Sequence, residues 1–290
     1  MEVLLQSLLN GILLGGLYAV IGLGMSLIFG IMGLINLAHG DLIIVSTYIS
    51  MVIAVQYSAN IFIALLITVV VMMIVGFLCQ SVLINRVFDK GSEPPLLITF
   101  GLSVILQNVL QLIFGADAKS IPTRYAAQNV ITTPWFSISA IYLIDFVVSL
   151  LVILALHFII MKTYFGRAIR ATSGDVVASE LVGLNTKRTY AVTMALAMVT
   201  ASIAGLLVGM TFTYYPTTGT EYLIIAFGVV VIGGMGSLTG TLVGGIILGL
   251  AQMLGSYFFG MAYQLFFGYV VLLVILTFRP QGLFANIGRD

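Results

Sequence analysis

An imidazole and a carboxylate two residues apart, His39 and Asp41, stand in a chain that is otherwise almost wholly apolar. Together they could hold a polar solute or pass a proton. Polar groups at membrane depth are costly, so they face a cavity or one another. Asn36 and His39, three residues apart, share a helical face, and Asp41, after Gly40, can cap a helix that starts at Leu42. Three readings of this set stay open: capping with interhelical hydrogen bonding, the lining of a polar pathway, and a proton relay. Gln107, Asn108 and Gln111 form a second polar set inside an apolar run. They could line the same pathway or act as interhelical glue, as could Gln6 and Asn10. Asp145 and His157 fall near opposite ends of one span, where exposure at the membrane interface accounts for both. Glu221 lies beside a loop and is either solvated or part of a docking surface. No GxxxxGK[ST] nucleotide loop, no cluster with metal-ligand spacing and no nucleophile-and-base set stands out. The residues therefore imply no metal, no cofactor and no enzymatic centre. Cys79, the single cysteine, can form no intrachain disulfide.

The elements that must position these groups are transmembrane helices. Of the 290 residues 61% are hydrophobic and 7% charged, with a mean hydropathy of +1.19. Soluble domains carry about 25% charged residues. A net charge of +1 gives no case for nucleic-acid binding. Long continuous apolar runs predict helices, since a barrel would show alternating strands of about ten residues. The runs at 4–29, 42–55, 61–84, 96–114, 138–161, 191–212, 222–259 and 261–278 give roughly eight spans. The first has Glu2 where a signal peptide has basic residues, so it is expected to be a retained helix. Arg86 and Lys90, the basic stretch 162–190, and Arg279 with Arg289 place three segments on the cytoplasmic side. The 115–137 loop then lies outside, with Trp135 as an interface anchor, and the side of the N-terminus is undecided.

Two apolar segments are interrupted by glycine. One interruption runs from Gly30 to Asp41, and the other holds Gly233, Gly234, Gly236 and Gly240. Paired, broken or re-entrant segments in two halves of a membrane chain point to an internal repeat with a translocation pathway between the halves. Gly233, Gly234 and Gly236 thereby join Asn36, His39, Asp41, Gln107, Asn108 and Gln111 as pathway candidates. Gly11/Gly15, Gly205/Gly209, Gly240/Gly244 and Gly245/Gly249 are spaced for close helix packing.

The stretch 162–190 differs from everything around it. It holds Lys162, Arg167, Arg170, Lys187 and Arg188, with Asp175 and Glu180. Asp175 can cap a short helix over 175–183, on which Val177, Leu181 and Leu184 share a face. Gly183 suits a left-handed C-terminal cap, and Lys187 and Arg188 beyond it suit the helix dipole. A surface helix with an apolar stripe needs a partner to bury it, and the expected partner is a cytoplasmic protein. If ATP drives any transport here, another chain must bind the ATP, and this helix is where it would dock.

The opening QSLLNGILLGGLYAVIGLGMSLIFGIMGLINLAHGD resembles LivH-type permeases of branched-chain amino-acid ABC importers. So do FGRAIRAT with ASELVGLN, AFGVVVIGGMGSLTGTLVGGIILG, and FRPQGLF, in order over nearly the whole chain. The resemblance implies one permease domain, 1–290, in a bacterial inner membrane. It implies a homologous LivM-type permease, two cytoplasmic ATPase subunits that hydrolyse the ATP, and an extracytoplasmic binding protein that delivers leucine, isoleucine or valine. It also assigns Gly166, Arg167, Arg170, Ala178, Leu181 and Gly183 to a loop that couples to the ATPase. Two departures are visible. Asp41 stands where the family more often has Glu, and Ser173–Val177 carries fewer charges than usual. Related permeases import urea, amides, sugars or nucleosides. A proton-coupled transporter using His39, Asp41 and Asp145 is the alternative of a different class.

Overall fold

A computed structural model of the chain describes residues 2–91, 93–279 and 281–284. Ser92 of the first basic loop, and Pro280 and Arg289 of the tail, lie outside them. The apolar runs fold as helices, which satisfy their own backbone polar groups where lipid cannot. In order they are α1 (Glu2–Met32), α2 (His39–Met51), α3 (Ile61–Leu78), α4 (Glu93–Phe114), α5 (Ala140–Lys162), α6 (Tyr164–Gly174), α7 (Val176–Leu181), α8 (Thr186–Thr211), α9 (Gly219–Gly233), α10 (Leu238–Phe259) and α11 (Gln264–Phe278). A π-helical turn extends α2 to Gln56, and α3 continues through Cys79–Leu83 to Arg86. The one sheet among the described residues is the hairpin β1 (Asn129–Thr132) and β2 (Ser137–Ser139) before α5. Eight helices among the described residues are long and apolar enough to cross a membrane, while α9, of 15 residues, is too short. The all-helical, polytopic expectation holds, and both glycine interruptions are real breaks.

Helix α1 is the hub, packed on α5, α8, α9 and α10. The predicted glycine pairs find one another. A Cβ on Gly15 would meet the backbone of Ile246, and one on Gly245 or Gly249 would strike the carbonyl of Gly15 or Gly11. Gly205 and Gly209 admit Ser46 and Thr47 of α2 in the same way. Those two hydroxyls donate across the interface to the carbonyls of Ala201 (3.0 Å) and Gly205 (2.9 Å).

The contacts also order the two ends of the bundle. Gln6 exchanges hydrogen bonds with the backbone of Ser137, and Lys119 pairs with Tyr214. The N-terminus therefore lies at the hairpin end. At the other end Asn85 donates to the Lys187 carbonyl, and the N–H groups of Leu283 and Phe284 bond Ile232 and Gly233. The three basic segments thus share one end.

Three expectations need correction, and one element was not foreseen. Segment 164–174 forms a full helix, α6, with Thr163 accepting from the Gly166 N–H at its start. The short helix after it ends at Leu181, so Leu184 is not on its face. Lys187 and Arg188 sit in the first turn of α8, at the positive end of a helix and not beyond the negative end of one. Asp145 is not at the interface but wholly buried, because Ile141, Asp145, Ser149 and Ile153 line the face of α5 turned into the bundle. Thr211 donates to its Oδ2 at 2.8 Å.

Because α1 and α10 meet backbone to backbone, Gly245→Val should lower stability by about 1–3 kcal/mol through overpacking. Gly101→Ala, in open space on α4, should leave stability unchanged or raise it. Melting curves of the detergent-solubilised protein compare the two, and equal melting points would show that this face does not carry the α1–α10 contact.

Candidate functional site

Two helices start inside the bundle. After α1 the chain leaves helical geometry over 33–38, and α2 then begins beside the middle of α1 and α8. His39 places its Nε2 3.1 Å from the Ile21 carbonyl, and the ring lies against Gly24 and Thr200. After α8 the chain is again irregular over 212–218, and α9 begins at Gly219. There the two starts touch: a Cβ on Gly40 would strike the Gly219 carbonyl, and one on Gly219 would strike the Asp41 carboxylate. From that junction α2 runs alongside α8, with Ile43 and Thr47 beside Gly205 and Gly209. Helix α9 runs alongside α1, with Val229 beside Gly22 and Gly236 beyond its end beside Gly30. Helices α1 and α8 point in opposite directions, so α2 and α9 diverge toward opposite ends.

Asp41 is the electrostatic centre of this junction. It sits in the first turn of α2 and against the first residue of α9, so two helix N-termini direct partial positive charge at one buried carboxylate. Gln107 Nε2 donates to Asp41 Oδ1 at 3.0 Å and reaches Thr220 Oγ1 at 3.3 Å and Ser103 Oγ at 3.5 Å. The arrangement joins α2, α4 and α9 at one polar point. It can offer a carboxylate, an amide and hydroxyls to a polar solute passing the junction. The expected role of Asp41 as a cap for a helix from Leu42 is corrected, because α2 already starts at His39. No side chain caps α2, and Asn36 instead closes a turn just ahead of it. Lying in the break and not on a helical face with His39, it accepts from the Ala38 N–H at 3.0 Å through Oδ1.

The second polar set divides. Gln107 turns inward, whereas Asn108 is exposed and donates to the Val104 carbonyl of its own helix at 2.7 Å. Gln111 is exposed near the hairpin end. Gly233, Gly234 and Gly236 do not join the junction. They form the turn between α9 and α10, closed by Gly30, Gly240 and Gly282. The counterpart of the 33–38 break is therefore 212–218, since each follows a long helix and leads into a short one with a buried start. Sequence reasoning missed Ser103, Thr220 and the Gly40–Gly219 contact. The signal for the first was present, because Thr99, Ser103, Gln107 and Gln111 recur every four residues.

The basic end holds the other candidate set. Asp175 Oδ1 accepts from the Ala178 N–H at 2.9 Å, and Gly183, at φ +85°, turns the chain out of α7 as expected. Glu180 accepts from Thr186 Oγ1 at 2.7 Å, tying α7 to α8. Arg170 Nη1 donates to the Ile160 carbonyl, where it closes the end of α5, and Gly166 leaves room for the same carbonyls. Gly166, Arg170, Asp175, Glu180 and Gly183 thus build the element. Arg167, Ala178 and Leu181 remain on its surface, with Tyr164, Phe165, Val177 and Val182. Leu181 and Val182 are 83% and 77% exposed.

A bundle of membrane-crossing helices with re-entrant starts, a polar junction at their meeting point and an apolar-faced element at one end defines a polytopic membrane permease. Residues 7–276 match the model of the family described as "Branched-chain amino acid transport system / permease component", and the chain belongs to that family. It is 31% identical to the high-affinity branched-chain amino acid transport system permease protein BraD of Pseudomonas aeruginosa, over 96% of this chain and 95% of that one. It is 31% identical to its counterpart LivH of Escherichia coli K12, over 96% and 94%. The ribose import permease RbsC of Escherichia coli K12 is 28% identical over 55% of this chain and 52% of its own. No solved structure matches.

Gln107→Leu should cost about 1.5–3 kcal/mol, since it strips a charged acceptor of its donor in a buried site. Asn108→Leu, which breaks only a bond within α4, should stay within about 0.5 kcal/mol. Chemical denaturation in detergent reads both, and equal losses would mean that the Gln107–Asp41 bond adds nothing.

Proposed function

We propose that this chain is the membrane-spanning subunit of an ATP-driven importer of branched-chain amino acids, leucine, isoleucine and valine. It works in the inner membrane beside a homologous permease, above two cytoplasmic ATPases and beneath an extracytoplasmic binding protein. The observation that carries the reading is the unburied apolar face of α7, where Val177, Leu181 and Val182 are left exposed among the described residues. Adjacent exposed apolar side chains on a polar, charged element suit a protein contact. On this reading residues 162–190 are the cytoplasmic coupling loop of a single permease domain.

The links to the rest of the bundle suit that role. Arg170 ties α6 to the end of α5, and Glu180 ties α7 to the start of α8. Closure of the ATPases on α7 would tilt α5 and α8 together. Helix α8 carries α2 through Ser46 and Thr47, so the tilt reaches Asp41, Gln107 and Thr220 at the junction. The pathway then opens to one side and next to the other, with selectivity residing largely in the binding protein. A sugar is the second reading, favoured by the similarity to RbsC, but that similarity covers 55% of the chain against 96% for BraD. For the proton-coupled alternative, His39 bonds the Ile21 carbonyl, Asp41 bonds Gln107 and Asp145 bonds Thr211, so its three groups bond other residues and not one another.

The test is uptake of labelled leucine and ribose into vesicles containing the permease pair, the binding protein and the ATPases. Leucine uptake should require ATP, and Leu181→Asp should reduce it about tenfold or more, as loss of an interface anchor does. The melting point should not move, because the side chain is exposed. Leucine uptake without the ATPases, unaffected by Leu181→Asp, would overturn the reading. ATP-driven ribose uptake in place of leucine would establish the second one.

A further inference from the structure

A cleft of about 490 Å³ opens between the end of α3 and the start of α8, at the basic end of the bundle. Arg86 comes from α3, and Lys187 and Arg188 from the first turn of α8. No acidic side chain lines it among the described residues. The polar wall is fixed in place, because Asn85 accepts from Gln80 at 3.0 Å and donates to the Lys187 carbonyl at 3.1 Å. The opposite wall is Phe77 and Ala191. Beyond Phe77, the exposed apolar residues Ile74 and Val70 continue up the outer surface of α3.

Two features of this cleft call for an anion. Arg86 and Arg188 gather with no carboxylate in the lining among the described residues. Arg188 also sits at the positive end of a helix dipole, where cations are disfavoured and anions favoured. A third feature selects the kind of anion: within one side chain's length the lining passes from charged to apolar, at the boundary between basic loops and membrane span. The cytoplasmic leaflet supplies amphipathic anions at that depth, and basic pockets between spans bind their head groups. We propose that the cleft binds the phosphodiester head group of an anionic phospholipid, with one acyl chain laid along Phe77 and Ile74. The occupant is a lipid and not the acidic surface of an ATPase subunit, because Phe77 and the apolar residues above it belong to the span, where a soluble protein does not reach.

The full-length chain in neutral detergent, titrated with phosphatidylglycerol or phosphatidylcholine of identical chains, tests this by native mass spectrometry. One phosphatidylglycerol should be retained in preference to phosphatidylcholine. Arg86→Gln with Arg188→Gln should weaken it by about 25-fold, ~5-fold for each cation removed near an anionic head group. Arg86→Lys with Arg188→Lys should keep the affinity. An unchanged melting point in phosphatidylcholine shows that the glutamine pair is folded; if that pair does not fold, Phe77→Glu, which repels the chain at an exposed position, should weaken the lipid instead. Soluble glycerol phosphate should not compete. Equal binding of both lipids, full affinity in the folded glutamine pair, or equal binding of glycerol phosphate would each overturn the proposal. So would a glutamine pair that keeps the lipid but no longer binds the ATPases.

Discussion

A helix that starts inside a membrane protein leaves N–H groups that lipid cannot satisfy. Helices α2 and α9 both start that way, and the two starts meet. Glycine on each side, at 40 and 219, lets the two backbones approach to a distance that no side chain permits. Asp41 then serves both positive ends at once. A carboxylate near one helix N-terminus is stabilised by up to about 2 kcal/mol when partly buried, and here two converge. The charge is a structural asset before it is a functional one. It is also the only carboxylate among the described residues that a neighbouring span, through Gln107, reaches with an amide.

The rest of the bundle holds that junction in register. Helix α1 can stand against α10 because Gly11, Gly15, Gly245 and Gly249 remove the side chains between them. Helix α8 can carry α2 because Gly205 and Gly209 admit Ser46 and Thr47, whose hydroxyls bond across the gap. In lipid no hydrophobic force draws helices together, so close packing and such hydrogen bonds supply the attraction. The consequence is an inverted layout. A long helix, a break and a half-length helix occur as α1–α2 and again as α8–α9, with opposite directions. Motion of α8 relative to α1 therefore shears the junction, and α6 and α7 hang from α5 and α8 where a partner could drive it.

The basic end combines two surfaces with different chemistry. The α7 face is apolar and projects away from the spans, which suits a protein. The α3–α8 cleft is cationic and open along the span, which suits a head group. Both rest on the same few residues between α7 and α8, where Glu180 bonds Thr186 and Asn185 caps α8 by accepting from the Arg188 N–H. A lipid in the cleft would thus stiffen the connection through which α7 acts on α8.

Much of this was legible in the sequence because it is local. Hydropathy over some twenty residues marks a span, a four-residue glycine spacing marks a packing face, and Asp175 with Gly183 marks the two ends of a helix. Each signal needs only neighbours along the chain, and the eight spans, the break after α1 and the α7 caps stood as read, although the run 222–259 divides into α9 and α10. What the tertiary structure decided involves partners far apart in sequence. Gln107 lies 66 residues from Asp41, and Gly40 finds Gly219 only once α1 and α8 are packed. Asp145 is buried because of which side of α5 faces the bundle, a side that a uniformly apolar helix does not announce. The turn at 234–237 carries the glycines that signal a break, whereas 212–218 has none and a single proline, yet only the second opens onto the junction. Periodicity and capping are properties of one helix; which helices meet, and at what depth, is settled by the packing of all of them together.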